Sequence, residues 1–253
     1  MTSVLIAVFV AVLTFGSGIL GLFFERRLPK EHMSGGSREM ILAVIGLVTL
    51  LLALVLGTLV GNTYAFFATQ KSELETYASR ALLLDRALAH YGPEAKPIRD
   101  QLKAAMTESY QLFWMGAVID PKQLGVEVAV DRYEPIADSI AALNPSTAAQ
   151  KDAVAAANLN IGLMEQTRIL MSLQLASPVT WLLLIIVVAW AMFLFWGFGV
   201  LSGSNPTTIA VLGLGAISVA SAIFLILDLS QPHTGLFRVS PAALEQTIEA
   251  VDK

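Results

Sequence analysis

One carboxylate stands where an apolar run ends. In FLILDLSQPHTGLFRVSP, residues 224–241, four apolar residues lead into Asp228, and Pro232 follows. Proline cannot continue a helix, so Asp228 falls in a last helical turn. The helix macrodipole disfavours negative charge there, so the carboxylate calls for a compensating partner. Three partners suit it. A basic side chain such as Arg168, Arg238 or Arg80 would make a structural pair. Backbone amides around Gly235 would clamp the tail, and a bound cation would make an ion site. Other chemistry is scarce. The absence of cysteine excludes disulfides, thiolate catalysis and cysteine-ligated metals. His32, His90 and His233 are far apart, lack zinc-ligand spacing and read as surface or loop residues. The sequence contains no G-x-S-x-G, no H-E-x-x-H, no P-loop, and no G-x-G-x-x-G opening a helix after a strand. The acidic pairs Glu73/Glu75 and Asp131/Glu134 fit solvated helix faces. The glycines of GSGILG, 16–21, sit inside an apolar stretch and cannot cradle phosphate.

The elements that carry these residues are membrane helices. Of 253 residues, 55% are hydrophobic and 14% charged, against about a quarter charged in soluble domains. A span needs about 20 apolar residues. Residues 2–24, 40–67, 178–201 and 206–227 qualify, and none contains Asp, Glu, Lys, Arg or His. The first has no preceding basic residue and no A-x-A site, so it reads as a retained helix. Residues 68–177 differ in character, holding ten of the sixteen basic and thirteen of the twenty acidic residues. Leu74, Tyr77, Ala81, Leu84 and Leu88 recur at steps of three and four, an amphipathic stripe. No breaker separates that stripe from the second span, which predicts one long helix ending at Gly92-Pro93. A helix from Glu94 to Gly116, a mostly looped stretch to Pro135 and a short helix before Asn144 follow. Thr147 and Gln150 have capping-box form and open a last helix reaching Ser177. The expected fold is all-α: transmembrane helices 1 and 2 in residues 1–67 and an extramembrane helical domain in 68–177. Transmembrane helices 3 and 4 occupy 178–229, and a tail with an amphipathic helix occupies 230–253. Basic residues flanking the spans number four on each side, so the charge count sets no orientation.

Span two offers two faces. Gly46, Thr49, Ala53, Gly57 and Gly61 form a small-residue seam of the kind that lets helices pack closely. Leu50, Leu54, Thr58 and Asn62 lie beside it and pass from apolar to polar, as a constriction opening into a vestibule would. No charged ring on that face sets an ion's sign. In span four, Gly213, Gly215, Ala216 and Ala220 allow a close neighbour, and Ser218 and Ser221 can bond back to carbonyls one turn earlier. Trp181 and Trp196, near the ends of span three, suit interfacial anchoring.

Several stretches together resemble the bestrophin-like family of prokaryotic membrane proteins. They are RRLP after span one, the glycine-bearing span two, ELETYASRALLLDRAL, Arg168 before LASPVTW, and LILDLSQPHTGLFRVSPAAL. The last is the most specific: Asp228, Pro232, Gly235 and Ser240 occupy the family's acidic, proline, glycine and serine places. His233 stands where an aromatic commonly follows the proline. True bestrophins are pentameric ion channels whose second helix lines the pore, with both termini cytoplasmic. The resemblance therefore implies a homo-oligomeric channel in a bacterial inner membrane, with lipid, inorganic ions and further copies of itself as partners. It implies no cofactor. Asp228 alone remains of the acidic cluster that binds calcium in animal bestrophins, so calcium gating of that kind is not expected. The net charge of −4 gives no reason to expect nucleic acid. The competing reading is a non-conducting scaffold or sensor acting through its helical domain. An intramembrane enzyme lacks a nucleophile–base pair. A secondary transporter lacks buried coupling residues and an inverted repeat.

Overall fold

A computed structural model describes residues 2–25, 27, 36–115, 132–175 and 181–251. The helices are α1 (Thr2–Glu25), α2 (Gly36–Tyr91), α3 (Lys96–Tyr110), α4 (Glu134–Ala141), α5 (Ala148–Leu175), α6 (Trp181–Leu201), α7 (Pro206–Leu229) and α8 (Ala242–Ala250). A 3₁₀ turn, Pro93–Ala95, precedes α3, and a π-helical turn, Gln111–Met115, follows it. Among the described residues no strand occurs. Most of the RRLP stretch, residues 116–131, expected to be mostly looped, and residues 176–180 lie outside the described residues. The chain divides into two compact units. The first comprises Met1–Phe66, Val179–Gln231 and Gly235–Phe237; the second comprises Phe67–Pro178, Pro232–Thr234 and Arg238–Lys253.

In the first unit α1 lies against α6 and α7. Small residues permit the approach. A side chain at Gly21 would strike the Trp196 carbonyl, and one at Gly199 would strike the Gly18 carbonyl. Ser17 Oγ donates to the Met192 carbonyl at 2.7 Å, a hydrogen bond between helices in an apolar setting. Gly18 and Gly21 of the GSGILG stretch are thus a helix-crossing point. On α2, Ile45 and Leu52 are buried with Val48, Val55, Leu56 and Leu59 packed beside them. Ile45 covers Gly197, where a Cβ would come within 2.7 Å of its Cδ1. Asn205 caps α7, accepting from the Thr208 amide at 2.8 Å, with Pro206 at the first helical position. Each of α1, α2, α6 and α7 is long and apolar enough to cross a bilayer. With 56 residues α2 runs about 84 Å, well beyond the hydrocarbon thickness of about 30 Å.

In the second unit the predicted stripe is the core seam: Leu74, Tyr77, Ala81, Leu84 and Leu88 are all buried. Ile98, Leu102 and Met106 of α3 join them, with Ile136 and Ile140 of α4 and Ala157, Ile161 and Met164 of α5. Gly92, at φ 128°, takes the left-handed backbone that stops α2. The capping box forms: Gln150 N donates to Thr147 Oγ1 at 3.1 Å, and Thr147 N donates to Gln150 Oε1 at 3.3 Å. Arg99 grips buried Asp85 through two bonds of 2.7 and 3.0 Å, fixing α3 on α2. The tail helix docks through Leu244 and Val251, both buried, and Ile248 beside them. Ser240 Oγ accepts from the Ala242 amide at 3.3 Å, so helical geometry begins one residue after Pro241.

Candidate functional site

The α2 face opposite Ile45 and Leu52 is uncovered. Leu50 and Leu54 are 71% and 65% exposed, and Thr58 and Asn62 are exposed with them. Leu54 lies about 180° around the helix from Ile45. The small-residue seam is equally open. Gly46, Thr49, Ala53, Gly57 and Gly61 are exposed, and a Cβ at any of those three glycines would meet nothing within 4 Å. Thr49 and Thr58 bond back to the Ile45 and Leu54 carbonyls at 2.8 and 3.1 Å. The Asn62 amide makes no hydrogen bond among the described residues. By contrast, large apolar side chains such as Leu5, Phe9, Val12, Leu182 and Ile185 fill the exposed faces of α1 and α6.

Asp228, only 3% exposed, holds the tail. Its Oδ2 accepts from the Phe237 amide at 2.7 Å. The loop between them folds on itself through Gln231 N to the Asp228 carbonyl, 3.1 Å, and Gly235 N to the Gln231 carbonyl, 3.0 Å. Gly235 is required by close approach: a Cβ there would fall 2.8 Å from the Asp228 carbonyl oxygen and 2.9 Å from both Cγ and Oδ2. Pro232 is buried and its carbonyl accepts from Val239 N at 2.9 Å. Of the three kinds of partner the sequence offers, Asp228 takes a backbone amide of the tail. Among the described residues neither Asp228 nor Arg168 joins an ion pair, because the carboxylate is satisfied by the tail's own backbone. On α7, Ser218 and Ser221 bond back to the Leu214 and Ile217 carbonyls at 2.9 and 2.7 Å.

Arg168 sits in the second unit, 8% exposed, inside a cluster that the sequence did not assemble. Its Nη1 donates to Ser109 Oγ at 3.3 Å, and its guanidinium lies 5.6 Å from the Tyr133 ring centroid. Tyr133 and Tyr77 hydroxyls share a hydrogen bond. Burial, reinforced by Tyr133, pushes the Tyr77 phenol well above its ordinary pKa, so it stays neutral. Trp114 donates its indole N–H to the Val239 carbonyl at 2.9 Å and stacks on Tyr110, whose hydroxyl donates to Glu245 at 2.6 Å. His233 is buried rather than on the surface. Its ring stands edge-on to Trp114 at 5.8 Å, so the imidazole fills an aromatic's place. Burial pulls its pKa down to about 4, leaving it neutral near pH 7. Arg168, Ser109, Tyr77, Trp114 and His233 border a cavity of about 40 Å³. The signal in the sequence was slight: one arginine ahead of the apolar run Ile169–Met171, and an indole and imidazole far apart in the chain. Among the described residues no three His, Asp or Glu side chains converge as metal ligands would.

Four apolar helices with an intervening helical unit define an α-helical integral membrane protein. The sequence signature of a bestrophin-like domain matches residues 5–244. The chain belongs to the bestrophin-like family. Solved structures agree on the fold. A bacterial bestrophin homologue from Klebsiella pneumoniae carrying an isoleucine-to-threonine mutation superposes with a TM-score of 0.66 at 15% identity. The match covers 96% of this chain and 97% of that one. The same homologue with a leucine-to-threonine mutation gives 0.64 at 14% identity, covering 97% of each. A structure described as a membrane protein with a proline-to-alanine mutation gives 0.67 at 14% identity, covering 97% of each. No curated protein matches the sequence.

Proposed function

We propose that this chain is one subunit of a homo-oligomeric ion channel in a bacterial inner membrane, with α2 from each copy lining a central pore. The observation that carries the proposal is the open α2 face. It presents Thr58, Asn62 and three glycines alongside Leu50 and Leu54, a mixed face unlike the apolar Leu5, Phe9 and Val12 on α1 and Leu182 and Ile185 on α6. An exposed, unbonded amide such as Asn62 is costly against lipid and suits a water-filled path or a facing copy. Family membership supports the same reading, since bestrophins are ion channels. Leu50 and Leu54 form the constriction, and Thr58 and Asn62 form the wider polar end. The glycine seam leaves room for the adjacent subunit's α2. Five copies follow the bestrophin pattern, as does a cytoplasmic placement of the helical unit and both termini. Asp228, Pro232 and Gly235 latch the tail. Purified protein in planar bilayers should show single-channel currents, and Leu54→Ala should raise the conductance. Silent bilayers from well-folded protein would favour a non-conducting scaffold acting through its helical unit.

A further inference from the structure

We propose that the cavity beside Arg168 binds a small monovalent anion of halide or short-carboxylate size. Arg168 is nine-tenths buried, and a guanidinium keeps its charge at any physiological pH. It carries five N–H donors. Among the described residues only the bond to Ser109 Oγ uses one, and no carboxylate lies within ion-pair distance. A buried charge is held at a cost unless something opposite in sign completes it. The neighbours do not. Tyr133 offers only its ring face, and Tyr77 is a neutral phenol bonded to the Tyr133 hydroxyl. His233 is neutral and adds no second positive charge to repel or attract.

The space fits the missing partner. The cavity offers about 40 Å³ between Arg168, Ser109, Ser172 and His233 on its polar side and Leu74 and Leu175 on its apolar side. A single water needs about 10–15 Å³, so a halide with a water, or a two-carbon carboxylate, can be held. Arginine's planar fork pairs with a carboxylate through two parallel bonds and with a halide through converging N–H groups. Ser172, half-buried at the rim, offers a further hydroxyl and a point of entry. The cavity is lined by none of the α2 residues read as pore lining, so its test does not depend on whether the chain conducts.

The test is thermal unfolding of the full-length protein in detergent, titrated with sodium chloride or sodium acetate. Sodium isethionate, too large for the cavity, keeps the ionic strength constant. A site-bound anion at ten times its Kd changes the unfolding equilibrium about 11-fold, a rise of about 3–5 °C for a chain of this size. A saturable rise with chloride assigns a halide; one with acetate assigns a carboxylate. Arg168→Met should abolish the rise, as should Ser172→Leu, which fills the cavity but keeps the arginine. The Ser172 variant decides the matter if Arg168→Met does not fold. Equal unfolding temperatures in all three salts, or a wild-type response from folded Arg168→Met, would overturn the proposal.

Discussion

Replacing Gly235 with alanine tests whether the tail is latched by Asp228. The new Cβ would sit 2.8 Å from the Asp228 carbonyl oxygen and 2.9 Å from its Cγ and Oδ2. Ordinary contact needs at least 3.4 Å, so something must move by about half an ångström. The carbonyl belongs to the last turn of α7 and resists. The segment carrying Gly235 must therefore back away from Asp228, and the 2.7 Å bond from Phe237 N to the carboxylate breaks. A hydrogen bond to a charged group is worth about 1.5–3 kcal/mol, so Gly235→Ala should cost about 2 kcal/mol of latch stability. Trypsin at Arg238 reads that cost, because cleavage of a transiently opened segment follows the population of the open form. About 2 kcal/mol corresponds to cleavage about 30-fold faster. Asp228→Ala removes the same bond and two of the three colliding atoms. In that background Gly235→Ala should cost about 1 kcal/mol less, a coupling of the size expected for residues in contact. Wild-type cleavage of Gly235→Ala, or strict additivity in the double variant, would refute the latch.

Other consequences are equally direct. His233 is held at about 4 against an ordinary 6.5. The unfolded state therefore takes up the proton first. The stability contribution is fully present above pH 6.5 and is lost as pH falls towards 4, by about 3 kcal/mol. His233→Phe should remove that slope in pH-dependent unfolding while keeping the ring contact with Trp114. Asp85→Ala leaves the Arg99 guanidinium without its bidentate carboxylate and should cost about 3 kcal/mol in denaturant unfolding. Gly21→Leu cannot be accommodated against the Trp196 carbonyl. It should abolish recovery of folded protein from detergent extracts, whereas Gly16→Ala, whose Cβ meets nothing within 4 Å, should be recovered normally.

Periodicity revealed the long elements because burial obeys it. The stripe from Leu74 to Leu88 and the unbroken course of α2 were both legible, the first from apolar spacing and the second from the absence of any breaker before Gly92. Packing partners were not. Within one copy the tight crossing joins Gly18 and Gly21 to Gly199, a contact not singled out from the sequence. A small-residue pattern says that a neighbour can approach, not which one does. Asp228 was legible as a residue needing a partner. The partner proved to be the backbone amide of Phe237, one of the three kinds of partner the sequence offered, though no pattern marks which amide. Arg168 was singled out for its charge, but its setting arises from Ser109, Trp114, Tyr133 and His233, brought together across long separations.

The central claim is that α2 faces ions through Leu54. Because the chain contains no cysteine, Leu54→Cys introduces its only thiol. Single-channel recording of that variant before and after a water-soluble, charged thiosulfonate tests the claim directly. The account predicts open currents that fall sharply and stepwise as each subunit is modified, and no effect on wild type. Currents that persist unchanged after complete modification of Leu54→Cys would contradict it.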